Sequence, residues 1–147
     1  MLEIPSAVLF ACTFNAIRSP MAEGLLRDRH GRRVYVESVG IRQGSLDPFA
    51  VQVMDEIGID ISSHEPRTFD DLEDESFDLI ISLSPEAQHR AVDMTRVMAC
   101  DVVFWNTFDP TLVEGSRDMR LAAYRQVRDQ LARRIAERFP ADIMGSL

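Results

Sequence analysis

The chain has 147 residues and a net charge of −8, with 46% apolar and 27% charged residues. This length predicts one folded domain over 1–147 with its own core, needing no metal or disulfide staple. The acidic field disfavours nucleic acid and anionic membrane as partners, and no run of about eighteen apolar residues exists to span a bilayer. Residues Met1 to Ser6 do not have the make-up of a secretory leader. Two cysteines, Cys12 and Cys100, are too few for a secreted disulfide framework, so a cytoplasmic location is expected.

Ala7-Val8-Leu9-Phe10-Ala11 is a short unbroken apolar run, the pattern of a strand buried on both faces. Ser19-Pro20 then reads as an N-cap with proline at the first helical position. Met21, Ala22, Leu25 and Leu26 share one face of that helix up to His30, and Gly31 closes it. Val34-Tyr35-Val36 is a second strand. Asp47-Pro48 opens a helix with Phe49, Val53, Met54 and Ile57 at helical spacing and Gly58 as its stop. The acidic run Asp70-Asp71-Leu72-Glu73-Asp74-Glu75 lacks the glycine turn and ligand spacing of a calcium loop. It reads as a solvated helix face, and no metal is expected. Phe77-Asp78-Leu79-Ile80-Ile81 is the third strand, and Ser84-Pro85 starts another helix. Val102-Val103-Phe104-Trp105 is the fourth. The last helix runs from Ser116 to about Phe139 with a stripe of Leu121, Tyr124, Val127, Leu131 and Ile135. Strands alternating with helices imply an α/β fold, a parallel sheet with helices on both faces.

Ligands of such sheets bind beyond the carboxyl ends of the strands. The first strand ends where Cys12-Thr13-Phe14-Asn15-Ala16-Ile17-Arg18-Ser19 begins, and this loop runs directly into a helix N-terminus. Inward backbone N–H groups and the helix dipole favour an anion there. Arg18 adds a planar fork matching two oxygens of a phosphate or arsenate. The same field favours the thiolate of Cys12, so one loop both holds an oxyanion and activates the nucleophile facing it. Cysteine as a buried strand-end residue and arginine as a surface charge is the simpler reading of the same pair. The position after a buried strand favours the functional one.

The segment Phe10-Ala-Cys12-Thr-Phe-Asn15-Ala-Ile-Arg18-Ser19-Pro20-Met21-Ala22-Glu23 resembles the opening of the low-molecular-weight protein tyrosine phosphatases, which thioredoxin-coupled arsenate reductases share. Ser38-Val39-Gly40, His64 with Arg67, and Asp109-Pro110 resemble further family elements. On local sequence alone Ser38 can simply end a strand, His64 can be a surface histidine and Asp109-Pro110 is a turn signal. The resemblance implies a four-stranded sheet in the order 2-1-3-4. It also implies a phosphate monoesterase, with protein phosphotyrosine as a candidate substrate, Cys12 as nucleophile, Asp109 as general acid and Arg18 holding oxygens. Thr13, Phe14, Asn15, Ala16, Ile17, Arg18 and Ser19 would form the phosphate loop, with Asn15 braced by Ser38 and His64. The substrate would be a phosphorylated protein or a small phosphoester, and no cofactor is implied.

The chain departs from the family pattern in places. Phe14 stands where the family usually has glycine, which predicts backbone strain or a crowded pocket. Ile17 replaces a second loop cysteine. Ile41-Arg42-Gln43-Gly44 and Thr111-Leu112 stand where phosphotyrosine enzymes place aromatic residues, and little in 106–115 is expected to fix Asp109. Ser84 and Ala91 occupy the places of the reductases' cysteine pair, leaving arsenate reduction the weaker alternative. A non-catalytic oxyanion-binding module is the other.

Overall fold

Each apolar run becomes a strand of one parallel sheet in the computed structural model, which describes residues 4–72 and 76–141. The strands are β1 (Ala7–Cys12), β2 (Tyr35–Gly40), β3 (Leu79–Ser82) and β4 (Asp101–Phe104). Their order is β2-β1-β3-β4, as the resemblance implied. Four helices connect them: α1 (Arg18–His30), α2 (Pro48–Asp55), α3 (Pro85–Met94) and α4 (Arg117–Arg138).

Alternation along β1 divides the core into two layers. Val8, Phe10 and Cys12 join a cluster with Met21, Leu26, Leu121 and Leu131, whereas Leu9 and Ala11 join one with Ala87, Ala91 and Phe69. Helices α1 and α4 therefore cover one face and α3 the other. Leu9, Phe10, Ile80 and Ile81 are fully buried, each worth roughly 1.5–3 kcal/mol of apolar burial. The predicted α4 stripe from Leu121 to Ile135 is buried throughout. Asp47, Ser84 and Ser116 cap their helices, each accepting a backbone N–H with its side-chain oxygen.

Several boundaries differ from the sequence reading. Strand β2 runs on to Gly40, past Glu37 and Ser38, because both polar side chains find partners: Glu37 takes Arg67 at 2.9 Å and Ser38 takes Glu23. Helix α2 ends at Asp55, so Ile57 lies outside it and is 44% exposed, although Gly58 does take a left-handed φ of 79°. Gly31 closes α1 in right-handed geometry. Phe69–Asp71 forms one 3₁₀ turn in place of the start of a helix face. The rest of that acidic run, 73–75, lies outside the described residues. Among the described residues, no helix is long and apolar enough to cross a membrane.

Candidate active site

Helix α1 begins at Arg18 with Ile17 at its N-cap, and no side chain caps it. Ser19, expected as the cap, sits instead inside the first turn. Its hydroxyl lies 2.9 Å from the Cys12 sulfur, and Asn15 Nδ2 donates to it at 2.8 Å. Either group can donate in the Ser19–Cys12 contact, and the hydroxyl also reaches the Val39 carbonyl at 3.5 Å. Proline at position 20 removes an N–H that the first helical turn leaves without an intrahelical partner anyway.

The loop between Cys12 and Arg18 turns its carbonyls outward. Thr13 O accepts from the N–H groups of Ile41 and Arg42, Phe14 O from Gly44, and Ala16 O from Asp47. Among the described residues, no backbone N–H from Thr13 to Arg18 donates to a protein acceptor. The result is an anion nest joined to an uncapped helix N-terminus. Gly40 makes the close approach possible. A Cβ there would lie 2.7 Å from Asn15 N and 2.8 Å from the Phe14 carbonyl carbon.

Asn15 is the hub. It has a φ of 54°, the one positive value at a non-glycine among the described residues, which asparagine tolerates better than most. It is fully buried, and its amide also donates to Ser38 Oγ at 2.9 Å. Its Oδ1 accepts from His64 Nε2 at 2.9 Å and from the Arg67 N–H at 3.0 Å. The imidazole proton therefore sits on Nε2. Burial pushes the His64 pKa below its usual value, outweighing the pull of the Glu23 carboxylate 3.8 Å from Nδ1.

Phe14 corrects an expectation. Its φ is not positive, so it occupies the glycine position without left-handed strain. The residue is 48% exposed, and its ring lies beneath the Arg42 guanidinium, 5.7 Å from the ring centroid. Arg42 in turn donates twice to Glu86 Oε2 at 2.9 Å.

A cavity of about 250 Å³ opens at the carboxyl end of β1. Cys12, Phe14, Ala16, Ile17, Arg18 and Asp109 line it. Gly44, Ser45, Asp47 and Thr111 complete the wall. Cys12 is 2% exposed and Arg18 9%. Arg18 Nη1 donates to the Thr107 carbonyl at 2.9 Å. The side chains of the other predicted residues lie outside the lining: Thr13 bonds Ser84 Oγ at 3.1 Å, and Asn15, Ser19, Ser38 and His64 form the brace.

The 106–115 connection, expected to be loose, is anchored. Thr107 N–H donates to Leu83 O at 3.0 Å, Arg18 holds the Thr107 carbonyl, and Pro110 is buried. Asp109 caps the following 3₁₀ turn: its Oδ1 accepts from Thr111 N–H at 3.0 Å and Thr111 Oγ1 at 2.7 Å. The Asp109 carboxylate is thus fixed at the edge of the cavity that contains the thiol.

Sequence reasoning placed none of Glu23, Asp47 or Thr107 at the site. Glu23, 6% exposed, accepts from Ser38 Oγ and Arg27, and anchors the far end of the Asn15 brace. Asp47 accepts from Phe49 N–H and from Tyr124 Oη at 2.7 Å. The helix-cap signal at Asp47-Pro48 was visible, but only the fold brings that carboxylate to the cavity. A larger cleft of about 530 Å³ lies on the Glu23 and His64 side of the brace and contains no cysteine. Among the described residues, no group of three His, Cys, Asp or Glu side chains could hold a metal.

Comparison with known proteins agrees with this geometry. The sequence model of the low molecular weight phosphotyrosine protein phosphatases matches residues 7–140. An arsenate reductase of Halalkalibacterium halodurans is 36% identical over 87% of this chain and 91% of its own. An arsenate reductase solved in the phosphate-binding state superposes with a TM-score of 0.70 at 27% identity, covering 90% of this chain and 95% of its own. A protein tyrosine phosphatase gives 0.67 at 27% identity, covering 92% and 96%. The chain belongs to the low molecular weight phosphotyrosine protein phosphatase family, whose members here include both phosphatases and arsenate reductases.

Proposed function

We propose that this protein is a cysteine-dependent phosphatase that hydrolyses a phosphate monoester through a phosphocysteine intermediate. The observation that carries this reading is the presence of Cys12, Arg18 and Asp109 on one small cavity, with a brace beneath it. The Cys12 thiolate attacks phosphorus, the bond to the ester oxygen breaks, and protonated Asp109 gives its proton to the departing oxygen. Water then attacks the phosphocysteine. Asp109 takes its proton, and the sulfur leaves with Ser19 Oγ donating to it. Arg18 and the loop N–H groups hold the three equatorial oxygens throughout.

Arsenate reduction through an internal disulfide needs a second thiol beside the first. Ala11 is in register with Ser82, and Ser82 with Phe104, so Cys12 is level with Trp105. Cys100 immediately precedes β4, five positions back from Trp105 and two strands away, a separation of roughly 19 Å from the usual strand rise and spacing. A disulfide tolerates about 7 Å between Cα atoms. Cys100 also packs on the opposite face of the sheet from Cys12, and burial pushes its thiol pKa up. This favours water over a thiol as the second nucleophile.

The test is hydrolysis of p-nitrophenyl phosphate beside arsenate reduction coupled to thioredoxin or glutaredoxin. Hydrolysis should vanish in Cys12→Ser, fall about 10²–10⁴-fold in Asp109→Asn, and persist in Cys100→Ser. Reductase activity that requires Cys100, with no ester hydrolysis, would overturn the reading.

A further inference from the structure

We propose that Phe14 is the specificity-determining residue of this site, an aromatic platform built into the phosphate loop that selects an aryl phosphomonoester. Only the identity of the leaving group rests on the phosphatase reading above. The platform itself is a binding property.

Three observations carry the inference. First, the aromatic residue is the loop's own. Phe14 is the one aromatic side chain among those lining the cavity with Cys12, and the neighbouring wall of Ala16, Gly44 and Ser45 is small. No other lining ring competes for a planar group beside the thiol.

Second, the ring is held in place. The Phe14 carbonyl is fixed by Gly44 N–H at 3.0 Å, and the peptide bond from Phe14 to Asn15 is pressed against Gly40. A Cβ at Gly44 would lie 3.0 Å from Phe14 Cβ, so that glycine leaves room for the phenylalanine side chain. The Arg42 guanidinium is positioned over the ring and tied by two bonds to Glu86. A prearranged ring loses less entropy when a ligand stacks on it than a free one would. It nevertheless stays half exposed, leaving apolar surface for a ligand to cover.

Third, the lining charge is selective. Asp47 and Asp109 place two carboxylates in a cavity of about 250 Å³. They disfavour a second phosphate or carboxylate close to the scissile group, as in a sugar bisphosphate or a phosphorylated hydroxy acid. What remains favourable by charge is a single phosphate on a neutral or cationic group, and the ring favours a planar one. The site thus gains its ring contact from the nucleophile loop, not from residues 41–44 or 111–112.

The decisive experiment uses ligands that cannot turn over. Dissociation constants of phenylphosphonate and methylphosphonate would be measured by calorimetry for the wild type, Phe14→Ala, Phe14→Leu and Phe14→Tyr, with inorganic phosphate as the reference for loop integrity. The wild type should prefer the phenyl compound by about tenfold, the scale of one aromatic contact plus its buried area. Phe14→Ala should reduce the preference to within about threefold, Phe14→Leu should fall between, and Phe14→Tyr should keep it. In steady-state kinetics Phe14→Ala and Phe14→Leu should raise KM for a phosphotyrosine peptide more than they lower kcat, and Phe14→Tyr should leave KM near the wild-type value. Equal affinities in the wild type, an unchanged ratio in Phe14→Ala, or tighter binding of both phosphonates once the ring is removed would overturn the proposal. Because phosphonate binding needs no hydrolysis, an inactive wild type would sink the phosphatase reading while this ratio still judged Phe14.

Discussion

Replacing Asn15 with alanine tests how the loop stores its shape. The substitution deletes four hydrogen bonds of 2.8–3.0 Å, to the Ser19 and Ser38 hydroxyls, His64 Nε2 and the Arg67 N–H. At a net 0.5–1.5 kcal/mol each they sum to roughly 2–6 kcal/mol. Alanine at a φ of 54° adds about 1 kcal/mol or more. That total is a large part of the roughly 5–15 kcal/mol that holds a domain folded. The molecule can relieve much of it by letting residue 15 relax to negative φ, but the amides then turn away from the oxyanion. The expected result is therefore a folded protein with a lowered Tm and an inorganic phosphate affinity reduced about 100-fold. Asn15→Gly separates the two causes, since it accepts the backbone angle but makes none of the bonds. Phosphate affinity in Asn15→Ala within threefold of wild type, by calorimetry, would refute the reasoning.

Gly40→Ala places a methyl group 2.7–2.9 Å from three backbone atoms, which have no flexible side chain to yield; phosphate binding should fall at least tenfold while far-ultraviolet dichroism stays native. The His64 pKa is lowered on folding, so the unfolded chain takes up its proton first as the pH falls. Stability should accordingly be complete above about pH 6.5 and decline below it until the folded-state pKa is passed. His64→Gln, which keeps a donor for Asn15, should lose that part of the slope in urea titrations at a series of pH values; an unchanged slope would reject His64 as its source. Peroxide should convert Cys12 to sulfenic and then sulfinic acid with no Cys12–Cys100 crosslink, because no thiol lies within reach. Peptide mass spectrometry reads this directly, and finding the crosslink within one chain would mean that β4 detaches from β3 in solution.

The parts of the fold visible in the sequence were those with a local cause. Unbroken apolar runs marked all four strands, and the Asp47, Ser84 and Ser116 caps marked three helix starts. Ser19 misled because its sequence context, followed by proline, is that of a cap. Its buried hydroxyl is instead used across the loop, on Cys12 and Asn15. The end of β2 was hidden for a similar reason, since Glu37 and Ser38 are polar residues whose partners are Arg67 and Glu23. The strain expected at Phe14 does not arise, because among the described non-glycine residues the positive φ belongs to Asn15 alone. The anchoring of Asp109 could not be read from 106–115, because the groups that hold Thr107 are Leu83 and Arg18.

These cases share a physical cause that bears on the meaning of a Cys-x5-Arg motif. The spacing alone does not make amides converge, since a free loop can as easily turn its carbonyls inward. Here convergence is imposed from outside: four N–H groups between Ile41 and Asp47 draw three loop carbonyls outward, and β2 with the 64–67 segment holds the asparagine. Gly40 and Gly44 let those segments approach closely enough to do so. The recognisable unit is therefore spread over four stretches of chain that meet at one sheet edge. A substitution at position 40 should disarm the thiol as surely as one at position 18, although the first removes no charge and touches no substrate.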